Sequence, residues 1–137
     1  MTDRTYRGHV GIGPRTTGIA LVAKDDFSAR YDLDRLKGIF SRESHKLRGR
    51  SYVGTILVLD NAKGGVATAW MLYEMKARKM APAALLLNAA NPIMAQGAAL
   101  AALPFMDRFE ADITSLLKTG DKVTVDPAAG LVIVHGE

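Results

Sequence analysis

The chain contains no cysteine. Disulfides, thiolate chemistry and cysteine ligands to an iron–sulfur cluster are therefore excluded on this chain. Aromatic residues make up only 7%, and they do not interleave with the basic residues as in a base-stacking platform. Histidine occurs at positions 9, 45 and 135 alone. That spacing forms no metal-ligand pattern, so no metal site is expected. No apolar run approaches the roughly 20 residues that a membrane span needs. The opening Met1-Thr2-Asp3-Arg4-Thr5-Tyr6-Arg7 leads into no apolar stretch of signal-peptide type. A cytoplasmic setting is the expectation.

What is present is globular. The 137 residues are 48% hydrophobic, enough for one domain with a proper core. The expected domain is 1–137, with 1–15 as a candidate flexible lead. The net charge is +4, and the surplus is uneven. Lys37, Arg42, Lys46, Arg48 and Arg50 face only Glu43 between 37 and 50. A solvated face is the simplest account of this cluster. An anionic substrate or acidic partner comes next, and nucleic acid last.

The most informative stretch is Asp60-Asn61-Ala62-Lys63-Gly64-Gly65-Val66-Ala67-Thr68-Ala69-Trp70. It follows the apolar run Thr55–Leu59 and opens a helical pattern. A strand, a glycine turn with one lysine and a helix N-terminus suit an anion, because free N–H groups and the helix dipole converge there. The lysine precedes the glycines, so this is not the phosphate loop of nucleotide triphosphatases. A plain strand-to-helix turn with a solvated lysine is the competing account.

Periodicity orders the rest. Thr17–Ala23 reads as a strand, Phe27–Arg50 as a long irregular segment and Tyr52–Leu59 as a strong strand. Gly65–Met80 reads as a helix with its stripe at Val66, Ala69, Trp70, Tyr73 and Ala77. Ala83–Leu87 suits a strand covered on both faces. Asn91-Pro92 opens a helix to about Ala102. Pro104–Phe109 reads as a strand, Ala111–Lys118 as a short helix, and Lys122–Asp126 and Leu131–His135 as two strands joined by a turn. The β-α-β-α run from 55 to 102 argues for parallel strands. The expected fold class is α/β: a central βαβ unit with parallel strands, plus barrel-like flanking strands.

The ordered set of the glycine-rich helix entry, Ala81-Pro82-Ala83-Ala84, Asn91-Pro92-Ile93 with Gln96-Gly97-Ala98, and Thr119-Gly120-Asp121-Lys122-Val123-Thr124-Val125-Asp126 resembles the small subunit of the aconitase X enzymes. This corresponds to the swivelling domain of aconitase, a β/β/α fold. The resemblance spans roughly 17–135. It implies a hydro-lyase that is active only with a large catalytic subunit, where an iron–sulfur cluster is expected; no cofactor is expected on this chain. The implied substrate is a small anionic hydroxy acid, with cis-3-hydroxy-L-proline placed first and phosphorylated mevalonate as the alternative. A non-enzymatic binding module for an acidic partner is the other reading.

The resemblance also marks candidate site residues. Lys63 takes the place of a family arginine, Gly64 that of a glycine and Gly65 that of a serine. Thr68 is the remaining hydroxyl in the turn. Phe27-Ser28-Ala29-Arg30-Tyr31-Asp32 matches a second family segment but lacks its glycine pair. Dehydration beside a carboxylate needs a base, an acid for the leaving hydroxyl, and donors for the carboxylate. The substrate-binding candidates are Lys63, Gly64, Gly65, Val66 and Arg30. Thr68, Ser28 and His45 are candidates for proton transfer, and Asp32 stands beside them. Asn91 is expected to cap its helix and Gln96 to sit on a polar position. Trp70, Met71 and Met75 are expected in the core or against a partner subunit.

Overall fold

The computed structural model describes residues 3–27, 32–62, 66–90 and 92–136, with the backbone alone at 66–69. Among the described residues the elements follow in the order β1 Arg4–Arg7, β2 Thr16–Val22, β3 Leu33–Asp34, β4 Ile39–Phe40, β5 Ile56–Asn61, α1 Val66–Ala77, β6 Ala84–Ala89, α2 Pro92–Leu100, β7 Phe105–Asp107, α3 Ile113–Leu116, β8 Lys122–Asp126 and β9 Leu131–Val134. Seven strands form one sheet, β1-β9-β8-β2-β5-β6-β7. Strands β2, β5, β6 and β7 are parallel, as the βαβ pattern requires. The other half is antiparallel.

Strand β2 joins the halves. Its first four residues, Thr16–Ile19, pair with β8, and Ala20–Val22 pair with β5. The sheet then curls toward closure. Beyond β1, Ile12 exchanges backbone hydrogen bonds with Phe105 of β7, and the His9 amide donates to the Asp107 carbonyl. The flanking strands are thus barrel-like. In the amino-terminal segment, Arg4–Arg7 pairs residue by residue with Leu131–Val134. Such pairing ties down a terminus that would otherwise fray.

The parallel strands are buried on both faces, and their alternation sorts the core. Leu57, Leu59, Leu85 and Leu87 point into one apolar layer with Leu72 and Met75 of α1 and Met94 and Ala98 of α2. Ile56, Val58, Ala84 and Leu86 point into the other, with Ile113 of α3, Leu117 at its end and Val123, Val125, Val132 and Val134 of β8 and β9. This is the period-2 rule of a pleated strand.

Two expectations need correction. The stripe of α1 lies elsewhere: Leu72 and Met75 are buried, while Trp70, Tyr73 and Ala77 are exposed. Many residues of α1 are apolar, so spacing alone admits more than one face. Packing against α2 selects among them. Strand β5 begins at Ile56, not Tyr52. Gly54 adopts φ +72°, a left-handed turn, and the Thr55 amide and hydroxyl both donate to the Tyr52 carbonyl. The described residues of the 27–50 segment, Phe27 and 32–50, are not featureless. They form the β3–β4 hairpin, with Phe27, Leu33, Phe40, His45 and Leu47 buried.

Candidate functional site

Four parallel strands end along one edge, where open α/β sheets bind ligands. Strand β2 delivers Lys24 and Asp25 to it, β5 delivers Asp60 and Asn61, β6 delivers Asn88, and β7 delivers Asp107 and Arg108. Helix α1 begins at Val66, five residues after β5 ends at Asn61. The N–H groups of the first helical turn have no partner within a helix, and Val66 and Thr68 fall in that turn. Lys63, Gly64 and Gly65 lie outside the described residues, as do Ser28, Arg30 and Asn91.

One polar network spans the ends of β5, β6 and α3. The Asn88 amide donates to Asp60 Oδ1 at 2.9 Å and to Asp112 Oδ1 at 2.7 Å, and its oxygen accepts from the Ile113 amide at 2.8 Å. Asp112 caps α3, accepting from the Thr114 amide. Lys24 pairs with its other oxygen. Hydrogen bonds from Lys24, Thr114 and Asn88 hold the Asp112 carboxyl well below the usual carboxylate range.

A second network flanks the first. Arg42 lies 2.6 Å from Asp32 Oδ1 through Nε and 3.5 Å from Asp25 Oδ1 through Nη2. Asp32 is buried. The His45 side chain is fully buried, stacked on Phe40 with ring centroids 4.5 Å apart. The Leu47 amide donates to His45 Nδ1 at 3.1 Å. The proton therefore sits on Nε2, which donates to the Asp26 carbonyl at 2.9 Å. Both ring nitrogens are in use.

Segment 25–27 in turn lies along the end of β5. The Asp60 amide donates to the Asp25 carbonyl, and the Phe27 amide to the Asn61 carbonyl, each at 2.8 Å. Of the basic cluster, Arg42 turns inward, whereas Lys37, Lys46, Arg48 and Arg50 stay exposed. Gln96 is exposed on α2. Beside the network edge, an open cavity of about 260 Å³ lies between Val10, Ile12, Pro92 and Arg108.

Sequence reasoning brought forward Asp32 and His45, and named Arg42, the partner of Asp32, only within the basic cluster; it did not single out Asp25. It also missed Lys24, Asn88 and Asp112, and gave Asp60 no role beyond opening the glycine-rich stretch. A signal existed for Asp112, an aspartate directly before a helical pattern. Asn88, ending an apolar strand at the sheet edge, was a weaker one.

An iron–sulfur cluster does not fit this chain's own donor set. There is no thiolate, and among the described residues no three histidine or carboxylate side chains gather to hold a metal. No helix among the described residues is long and apolar enough to cross a membrane.

Comparison with known proteins agrees with this geometry. The model of the aconitase X swivel domain matches residues 5–134. The phosphomevalonate dehydratase small subunit of Methanocella arvoryzae is 36% identical over 126 residues, 92% of this chain and 96% of that protein. The protein of the same description from Thermococcus kodakarensis is 32% identical, covering 92% of each chain. The crystal structure of Thermococcus kodakaraensis aconitase X in its holo form superposes with a TM-score of 0.90 at 30% identity, over 97% of this chain and 99% of that one. The chain belongs to the aconitase X swivel-domain family.

Proposed function

We propose that this chain is the small subunit of a phosphomevalonate dehydratase, a hydro-lyase completed by a large subunit. The observation that carries the reading is the near full-length match to small subunits of that description. It favours phosphorylated mevalonate over cis-3-hydroxy-L-proline, which the resemblance alone had placed first.

The substrate is a 3-hydroxy acid with a carboxylate at one end and a phosphate at the other. Dehydration breaks the C–H bond beside the carboxylate, and its electron pair forms the double bond as the C–O bond breaks. The proton goes to a base. The hydroxyl gains a proton and leaves as water. This chain's part is to hold an anionic end of the substrate. Lys63 supplies a cation, and the N–H groups of Gly64, Gly65 and Val66 supply donors without charge of their own. Thr68 offers a hydroxyl in the same helical turn. Any iron–sulfur cluster belongs to the large subunit, because this chain offers no thiolate. The large subunit also covers the outer face of α1, where Trp70 is 62% exposed and Tyr73 packs edge-on against it.

The test is co-expression with the large subunit and an assay of phosphomevalonate and cis-3-hydroxy-L-proline side by side. Loss of water from phosphomevalonate, by the assembled pair and by neither subunit alone, is the expected result. Turnover of hydroxyproline only would overturn the substrate assignment.

A further inference from the structure

We infer that His45 is a positioning residue: it fixes the Asp25–Phe27 segment against the end of β5 and so sets the position of Asp60–Ala62, the backbone from which the proposed anion-binding residues continue. The path is continuous. Leu47 fixes the tautomer by donating to Nδ1, and Nε2–H holds the Asp26 carbonyl. On either side of Asp26, the Asp25 carbonyl receives the Asp60 amide and the Phe27 amide reaches the Asn61 carbonyl. Phe27 also bridges to Ala62 in parallel register. Ala62 is the residue before Lys63.

The surroundings suit a brace better than a proton carrier. The ring is stacked on buried Phe40, which is itself edge-on to buried Tyr52. Asp25 and Asp32 approach Nε2 no closer than 3.9 Å. Both carboxylates are tied instead to Arg42. Asp25 also accepts from the Lys46 amide, and the Ser41 amide donates to the Asp32 carbonyl. The 41–47 segment therefore holds Asp25 and Asp32 at several points, and the His45 side chain reaches the Asp26 carbonyl between them. With both nitrogens bonded to backbone and its side chain fully buried, the ring is placed to hold backbone rather than to meet a substrate.

This inference rests on the reading of the 63–65 turn as an anion site, and the experiment separates the two. In the assembled enzyme, three variants are compared with Lys63→Ala. His45→Phe keeps the stack and removes both hydrogen bonds. His45→Asn keeps an acceptor for the Leu47 amide and cannot reach Asp26. His45→Gln can still donate to Asp26.

The expected result is a loss in kcat/KM of about ten- to a hundred-fold for Phe and Asn, carried mainly by KM, as for a slightly misplaced binding group. Gln recovers most of it. The pH profile of kcat/KM keeps its shape in all three. Amide exchange in the assembled enzyme quickens at Phe27, Asp60 and Ala62 in the Asn variant.

Loss of one limb of the pH profile in His45→Gln, with kcat as low as in His45→Phe, would make His45 a proton carrier and overturn the inference. So would assembled Asn or Phe variants with unaltered kinetics and exchange while Lys63→Ala remains impaired. If exchange quickens but neither these variants nor Lys63→Ala alters KM, the brace stands and the anion-site reading fails.

Discussion

Asn88 and Asp112 are joined side chain to side chain at 2.7 Å, which fastens the cap of α3 to the end of β6. The same Asn88 amide holds Asp60, and its oxygen takes the Ile113 amide. All of its hydrogen-bonding groups are thus engaged across three elements. Asn88→Leu leaves Asp60, Asp112 and the Ile113 amide each short of a partner. The cost is expected at about 1–3 kcal/mol, as for a part-buried polar group left unsatisfied. Urea unfolding of the isolated small subunit measures it. An Asn88→Leu/Asp112→Ala pair is expected to cost less than the sum of the singles, because the two share one network.

The depressed Asp112 carboxyl makes stability depend on pH with a definite sign. Hydrogen bonds from Lys24, Thr114 and Asn88 favour its charged form in the fold. A group whose folded pKa lies below its unfolded value binds more protons when unfolded. Its contribution is complete above the unfolded value of about 3.9. It is lost as pH falls below that value toward the folded one. Asp112→Asn should flatten the fall in unfolding free energy on acidification through this window. Equal slopes for the two proteins would show that Asp112 is not linked to acid unfolding.

The parallel half of the fold was legible because Leu57–Leu59 and Ala84–Leu87 are apolar without interruption, which suits strands buried on both faces. Strand β1 was not legible. Arg4-Thr5-Tyr6-Arg7 is polar, and what makes it a strand is a partner more than a hundred positions away in β9. The face of α1 was misjudged for a related reason: its apolar residues exceed what one stripe needs, and only contact with α2 distinguishes Leu72 and Met75 from Trp70 and Tyr73. At the site, His45 was visible as a residue but not as a contact. Its partners Asp26 and Leu47 contribute backbone groups, and no side-chain motif records those.

The corrected face of α1 yields a prediction about assembly. Trp70 is largely exposed, so replacing it should change the stability of the isolated chain by no more than about 0.5 kcal/mol. Buried in the interface with the large subunit, a tryptophan is the kind of side chain that carries 2 kcal/mol or more, on the order of thirty-fold in affinity. Trp70→Ala should therefore weaken binding to the large subunit and leave the melting temperature of the small subunit nearly unchanged. Titration calorimetry with the purified large subunit reads the first, and thermal unfolding the second. Unchanged affinity would move the interface away from this face.

Variants at Lys63, Gly65 and Thr68 distinguish ground-state binding from transition-state contact. Lys63→Ala removes a charge-assisted contact, expected to contribute about 1.5–3 kcal/mol. That loss should appear as a rise in KM for phosphomevalonate of about ten- to a hundred-fold with kcat little changed, because an anionic end of the substrate bears the same charge before and during the reaction. Thr68→Val keeps the side-chain shape and removes only the hydroxyl. If that hydroxyl meets the departing oxygen, kcat and kcat/KM should fall together by about ten-fold or more, with KM steady. Gly65→Ser adds a side chain beside the proposed anion site, and it is expected to lower turnover of the native substrate by crowding. Steady-state kinetics of the three variants in the assembled enzyme decide among these roles. A Thr68→Val enzyme with unaltered kcat and KM would remove this hydroxyl from the chemistry and leave the base to be sought on the large subunit.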